Sequence, residues 1–157
     1  MDRDRFVNIY GGVYEQSPWV AEQAWDRESN APRERLTALF KSCVSDATRE
    51  QKLALIRAHP DLADRAAIVG GLTTESAEEQ RSACLDQCTQ AEFERFQLLN
   101  SRYKEKFGFP FVMAVRNYSR PQILAAFTKR LDNNLQCEFS IAVGEIHKIA
   151  RMRLAAL

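Results

Sequence analysis

Apolar residues recur at helical spacing along almost the whole chain, and little interrupts that rhythm. Leu36, Leu39, Phe40, Cys43 and Val44 form one stripe over 32–45. Phe93, Phe96, Leu99 and Tyr103 form a second over 89–106. Leu135, Phe139, Ala142, Ile146, Ile149 and Ala150 form a third over about 135–155. Only six glycines occur, and four of them are the pairs Gly11-Gly12 and Gly70-Gly71. Shorter helices are expected over 3–10, after a Ser17 cap followed by Pro18, over 48–58 from a Thr48 cap, over 76–86 from Ser76, and over 121–131 after Pro121. The expectation is an all-α fold, one domain over 1–157, built as a bundle of about seven to eight helices.

One stretch breaks the pattern. Residues 107–116 form a nearly continuous apolar run that contains Gly108 and Pro110. It reads either as a buried strand-like connection or as a buried turn of helix, and periodicity does not choose between them. If extended, its backbone amides need partners, and a ligand is one candidate.

The composition excludes several classes. The 157 residues carry a formal net charge of +1, with no basic patch of the kind that holds nucleic acid. No window approaches the length of an apolar membrane span. The charged start, Met1-Asp2-Arg3-Asp4-Arg5, lacks the apolar core of a signal peptide. The final Ala155-Ala156-Leu157 is not a peroxisomal tripeptide. A cytoplasmic protein is expected. Cys43, Cys84, Cys88 and Cys137 form no paired CxxC knuckles, and the two histidines are far apart, so the thiols read as reduced and mostly buried rather than as a metal site. Cys84 and Cys88 are expected on one helix face.

Three places could carry chemistry. His59 stands at a helix end just before Pro60, where the negative helix terminus and nearby Asp61 favour an imidazolium and suit a proton donor. A lone histidine there more often only caps the last carbonyls. Ser76-x-x-Glu79 fits a capping box, yet the same helix start offers amides and polar side chains to a small ligand, with Gly70-Gly71 allowing the loop to lie close. Arg153 falls on the apolar stripe of the last helix at i+7 from Ile146, whereas Arg151 does not. A core-facing guanidinium needs an acceptor, either a protein carboxylate or a substrate. Arg116 and Arg120 are lesser candidates, and His147 reads as a surface or structural histidine.

His59-Pro60-Asp61 is also the tripeptide of the J-domain co-chaperones, so a partner-binding module is the second reading. The wider pattern favours another. Ala58-His59-Pro60-Asp61-Leu62, Ser76-x-x-Glu79-Gln80, Lys106-Phe107-Gly108-Phe109-Pro110-Phe111 and Lys148-Ile149-Ala150-Arg151-Met152-Arg153, in that order, resemble the OHCU decarboxylases, where OHCU is 2-oxo-4-hydroxy-4-carboxy-5-ureidoimidazoline. The resemblance implies an all-helical homodimer that converts OHCU to (S)-allantoin with no cofactor and no metal. It assigns catalysis to His59, Glu79 and Arg153. It assigns substrate contacts to Pro60, Ser76, Ala77, Glu78, Gln80, Phe111, Val112, Met113, Ala114 and Val115. The small-molecule substrate is the only partner it implies besides a second copy of the chain.

Overall fold

The computed structural model describes residues 1–64 and 70–157, and everything below concerns those residues. They form eight α-helices and no strand: α1 Arg3–Tyr10, α2 Trp19–Arg27, α3 Arg33–Ser45, α4 Arg49–Arg57, α5 Thr74–Ser82, α6 Gln90–Phe107, α7 Arg120–Arg130 and α8 Leu135–Ala155. A short 3-10 turn, Leu85–Gln87, joins α5 to α6.

Local chemistry explains most boundaries. Thr48, Thr89 and Ser119 each begin a helix with a full capping box, closed by Gln51, Glu92 and Gln122. Pro121 sits in the first turn of α7, where its missing N–H costs nothing. Gly108 ends α6 with φ of +78°, a left-handed position that a side chain would strain. Gly11 ends α1 so close to its last turn that a Cβ would lie 2.5 Å from the Val7 carbonyl oxygen.

Four sequence expectations need correction. Ser17 does not cap α2; its hydroxyl donates to the Glu15 carbonyl instead. The α5 helix starts at Thr74, not at Ser76, because Thr73 supplies the cap by accepting from the Ser76 amide. Cys84 and Cys88 do not share a helix face, since Cys84 takes a left-handed conformation that breaks the chain direction. The thiols are not mostly buried: Cys43 is buried, Cys88 is intermediate, and Cys84 and Cys137 are exposed.

The 109–115 segment is neither helix nor strand, and all of it is buried. It runs through the core as irregular chain. Phe111 stacks on Phe127 at 3.8 Å between ring centroids, and Tyr103 meets both edge-on. The Val112 carbonyl accepts from Arg130, and the Ala114 amide donates to Glu145, so part of the segment's backbone is satisfied from within the protein. Helix α8 packs against α3, α4 and α6, which brings its last two turns beside the end of α4 and the start of α5.

Candidate active site

His59 follows directly on the C-cap of α4, Ala58, and is buried. Its Nδ1 lies 3.0 Å from the Leu55 carbonyl oxygen. A carbonyl only accepts, so Nδ1 carries the hydrogen and the lone pair of the neutral ring sits on Nε2. Burial pulls the His59 pKa down to about 4, against smaller upward pulls from the Leu55 hydrogen bond and the Glu15 charge. Burial therefore works against the expected imidazolium and favours the neutral ring. Asp61 gives no help, because its carboxylate turns away to Lys104 at 2.6 Å.

Two side chains fix the loop after His59. Gln80 accepts from the Ala63 amide and donates to the Asp61 carbonyl, and Asn100 donates to the Leu62 carbonyl. Gln80 thus has both ends of its amide committed to shaping the site.

Arg153, near the end of α8, is the charge centre. Its Nη2 lies 2.6 Å from Glu79 Oε1 and 2.8 Å from Glu15 Oε2, and its Nε lies 2.9 Å from Glu79 Oε1. Nη1 reaches the Gly12 carbonyl at 3.3 Å. Ser76 donates to Glu15 Oε2 at 2.6 Å and accepts from Arg153 Nη2 at 3.2 Å. Two carboxylates therefore share one guanidinium. They are not equivalent. Burial raises the Glu15 pKa, but the Ser76 hydroxyl, the Arg153 charge and the Thr73 hydroxyl outweigh it and hold the group below the ordinary carboxylate range. Burial raises the Glu79 pKa as well. Here Arg153 only partly offsets it, the Glu15 charge adds to it, and Glu79 stays above its ordinary value.

His59, Pro60, Ser76, Glu79, Gln80, Arg153 and the Phe111–Val115 segment line one cavity of about 40 Å³, together with Leu62, Arg116, Ile149 and Met152. Two expected contacts lie elsewhere. Ala77 faces a separate hollow with Leu72, Arg81 and Asp86. Glu78 is exposed and lines a neighbouring cavity of about 130 Å³. The reading of α5 as a set of free amides also fails: Thr73 accepts from the Ser76 amide through its side chain and from the Ala77 amide through its carbonyl. What α5 presents to the cavity is side chains.

Glu15 escaped sequence reasoning. It sits in an irregular turn between Gly12 and Ser17, with no periodicity to assign it a face, yet it is only 2% exposed. The other histidine, His147, is half-buried beside Tyr14, whose hydroxyl lies 2.9 Å from its Nδ1. Burial and the Lys41 and Lys52 charges lower its pKa to about 4.

In chemical terms the cavity offers an imidazole that burial keeps towards its neutral form, a guanidinium shared by two acids, and an apolar wall along residues 111–115. Among the described residues no cluster of three or more histidine, cysteine or acidic side chains is arranged to hold a metal ion, and no helix is long and apolar enough to cross a membrane. The co-chaperone reading is not favoured: a docking tripeptide must be accessible, whereas His59 is 7% exposed and Asp61 is engaged by Lys104.

Comparison with known proteins shows the family. The family model described as OHCU decarboxylase matches residues 1–155. The 2-oxo-4-hydroxy-4-carboxy-5-ureidoimidazoline decarboxylase of Haloferax volcanii is 44% identical over 155 residues, covering 99% of this chain and 90% of that protein. The uric acid degradation bifunctional protein of Bacillus sp. is 42% identical over 98% of this chain, which spans 30% of that longer protein. The crystal structure of an (S)-allantoin synthase superposes with a TM-score of 0.79 at 33% identity, covering 99% of this chain and 50% of that one. This chain belongs to the OHCU decarboxylase family.

Proposed function

We propose that this enzyme decarboxylates OHCU and protonates the product on one face to give (S)-allantoin. The observation that supports this reading most directly is the meeting of His59 and the Arg153–Glu79 pair on one small, largely apolar cavity.

The chemistry asks for such a set. OHCU carries its carboxylate and a hydroxyl on one ring carbon, next to a ring C=N. When the bond to the carboxylate breaks, its electron pair moves towards that C=N and CO2 departs. The ring nitrogen that receives the pair takes up one proton from solvent, the neighbouring carbon takes a second proton, and the hydroxyl carbon, giving up its own proton, becomes a carbonyl. The substrate supplies its own electron sink, so the protein's work is positioning, charge stabilisation and proton transfer. His59 accepts the hydroxyl proton on Nε2. The resulting imidazolium, held by the Leu55 carbonyl and facing the Glu15 charge, returns a proton to carbon on the side it occupies. One base fixed on one side of the ring accounts for a single product hand. Arg153 steadies a ring oxygen as charge builds on it, and Glu79 accepts from ligand N–H groups. Pro60 and residues 111–115 provide the dry wall against which the ring packs. Assembly as a homodimer in the cytoplasm completes the proposal. Light scattering reads the mass, and a monomer at micromolar concentration would remove that part.

The test is circular dichroism of the product pool from freshly generated OHCU. The enzyme should produce a signed allantoin band, and His59→Gln should lower the rate by about 10²–10⁴-fold with an unchanged helical spectrum. A racemic pool formed at the uncatalysed rate in the presence of the native chain would overturn the function. Full activity in His59→Gln would overturn the site.

A further inference from the structure

The Arg153–Glu79 pair stands between two spaces. Glu79, Arg116, Met152 and Arg153 line both the His59 cavity, about 40 Å³, and its neighbour, about 130 Å³. The first alone has room for only a few waters. A ring-sized ligand needs more room than this, and the Arg153–Glu79 pair is part of the wall that the two spaces share.

The two carboxylates on Arg153 differ in how easily they can leave. Glu15 is 2% exposed and is held by the Ser76 hydroxyl at 2.6 Å as well as by Arg153 at 2.8 Å. Glu79 is 17% exposed, faces both spaces, and has Arg153 as its ion-pair partner. Removing Glu15 from Arg153 would strand a buried charge, which is expensive. Displacing Glu79 leaves its carboxylate beside the incoming ligand.

We infer that Glu15 is the permanent partner of Arg153 and Glu79 the exchangeable one, so that a ligand binds by inserting an amide-type edge, one C=O beside one N–H, into the opened ion pair. The ligand oxygen takes Glu79's place on the guanidinium fork, and the ligand N–H donates to the displaced carboxylate. Every hydrogen bond broken on entry is replaced by one to the ligand, so exchange leaves no buried group unpaired. The ligand class this selects is a ureide or cyclic amide, whose edge carries acceptor and donor side by side. A plain carboxylate has no donor for Glu79 and is disfavoured. Glu15 is a positioning residue: it touches no substrate, and it keeps Arg153 in place while the fork changes partners. This deepens the proposed function and rests on it.

The experiment compares the parent enzyme with Glu15→Gln, Glu15→Asp and the double variant Glu15→Gln/Glu79→Gln, using (S)-allantoin as the binding probe and OHCU for turnover. Without the Glu15 charge, Glu79 holds Arg153 alone and the bar tightens. Glu15→Gln should therefore raise KM and the Kd for (S)-allantoin about tenfold, with a smaller fall in kcat. Glu15→Asp keeps the charge and should fall between the two, which also provides the reading if Glu15→Gln does not fold. The double variant removes the competitor and should bind (S)-allantoin more tightly than Glu15→Gln alone, a reversal that a merely structural Glu15 would not produce. Parent-like KM in both single variants, or a double variant no tighter than Glu15→Gln, overturns the exchange while leaving the decarboxylase reading intact. A parent enzyme that does not turn over OHCU overturns both.

Discussion

The molecule buries two arginine–glutamate clusters, and they are built differently. Around Arg130, one carboxylate faces one guanidinium: Glu138 is fully buried and receives Arg130 Nε and Nη2, the Asn133 amide and the Tyr103 hydroxyl. The Arg130 guanidinium also lies 4.2 Å over the Phe111 ring and donates to the Val112 carbonyl. Charge is balanced and each oxygen has its donors. Around Arg153 two carboxylates compete for one cation, at the edge of a cavity, and Glu79 is left with a raised pKa. The first cluster is a closed strut that holds the 111–115 segment in place. The second is under-neutralised and faces open space, which is how groups that must change partners are arranged. A buried ion pair does not by itself announce function; the ratio of acids to bases and the neighbouring space distinguish the two.

The sharpest way to break this comparison is to neutralise one acid in each cluster. Glu138→Gln leaves Arg130 buried without its counter-charge and should cost about 3–5 kcal/mol in urea unfolding. Glu79→Gln relieves the competition for Arg153, so it should leave stability within about 1 kcal/mol of the parent, or raise it, while turnover collapses. Equal destabilisation by both would erase the distinction. Next in size, Arg153→Lys keeps the charge but loses the planar fork that spans Glu15 and Glu79, and kcat/KM should drop about 10²-fold. A lysine variant with native kinetics would show that the fork geometry is idle.

The histidines give a pH signature. Both His59 and His147 are lowered from 6.5 to about 4. A depressed histidine binds fewer protons folded than unfolded, so its stabilisation is present above the unfolded pKa and is lost as pH falls. The urea midpoint should therefore decline from pH 6.5 towards 4, and His59→Gln/His147→Gln should flatten that decline. The smallest effect belongs to the exposed pair Asp61–Lys104. Lys104→Ala should change stability by about 0.2–1 kcal/mol and leave turnover untouched, because Asp61 plays no part at His59.

The helices were legible because amphipathic stripes and caps are local. Arg3–Tyr10 matches the expected 3–10, and α8 ends within one turn of expectation. The start of α5 was misplaced because Thr73 and Ser76 both suit a cap, and only the three-dimensional partners of Ser76 and Glu79 decide between them. Arg153 was marked by its register with Ile146 and Ile149, a one-dimensional property, and its side chain is 8% exposed. The charge state of His59 was not legible. The helix-end field that favours an imidazolium is written in the sequence, whereas the burial that opposes it comes from segments distant in the chain. Glu15 was invisible for the same reason, since its turn has no period and its partners lie 61 and 138 positions away.

The end of α8 carries one more consequence. Arg153 lies in the last turns of that helix, and Arg33 ties the chain there by donating to the Leu154 carbonyl at 2.8 Å. Helix ends open at far lower free energy than the core. Activity in this molecule therefore hangs on the last turns of one helix. On warming, activity should be lost before the bundle melts, because opening those turns alone is enough to release Arg153.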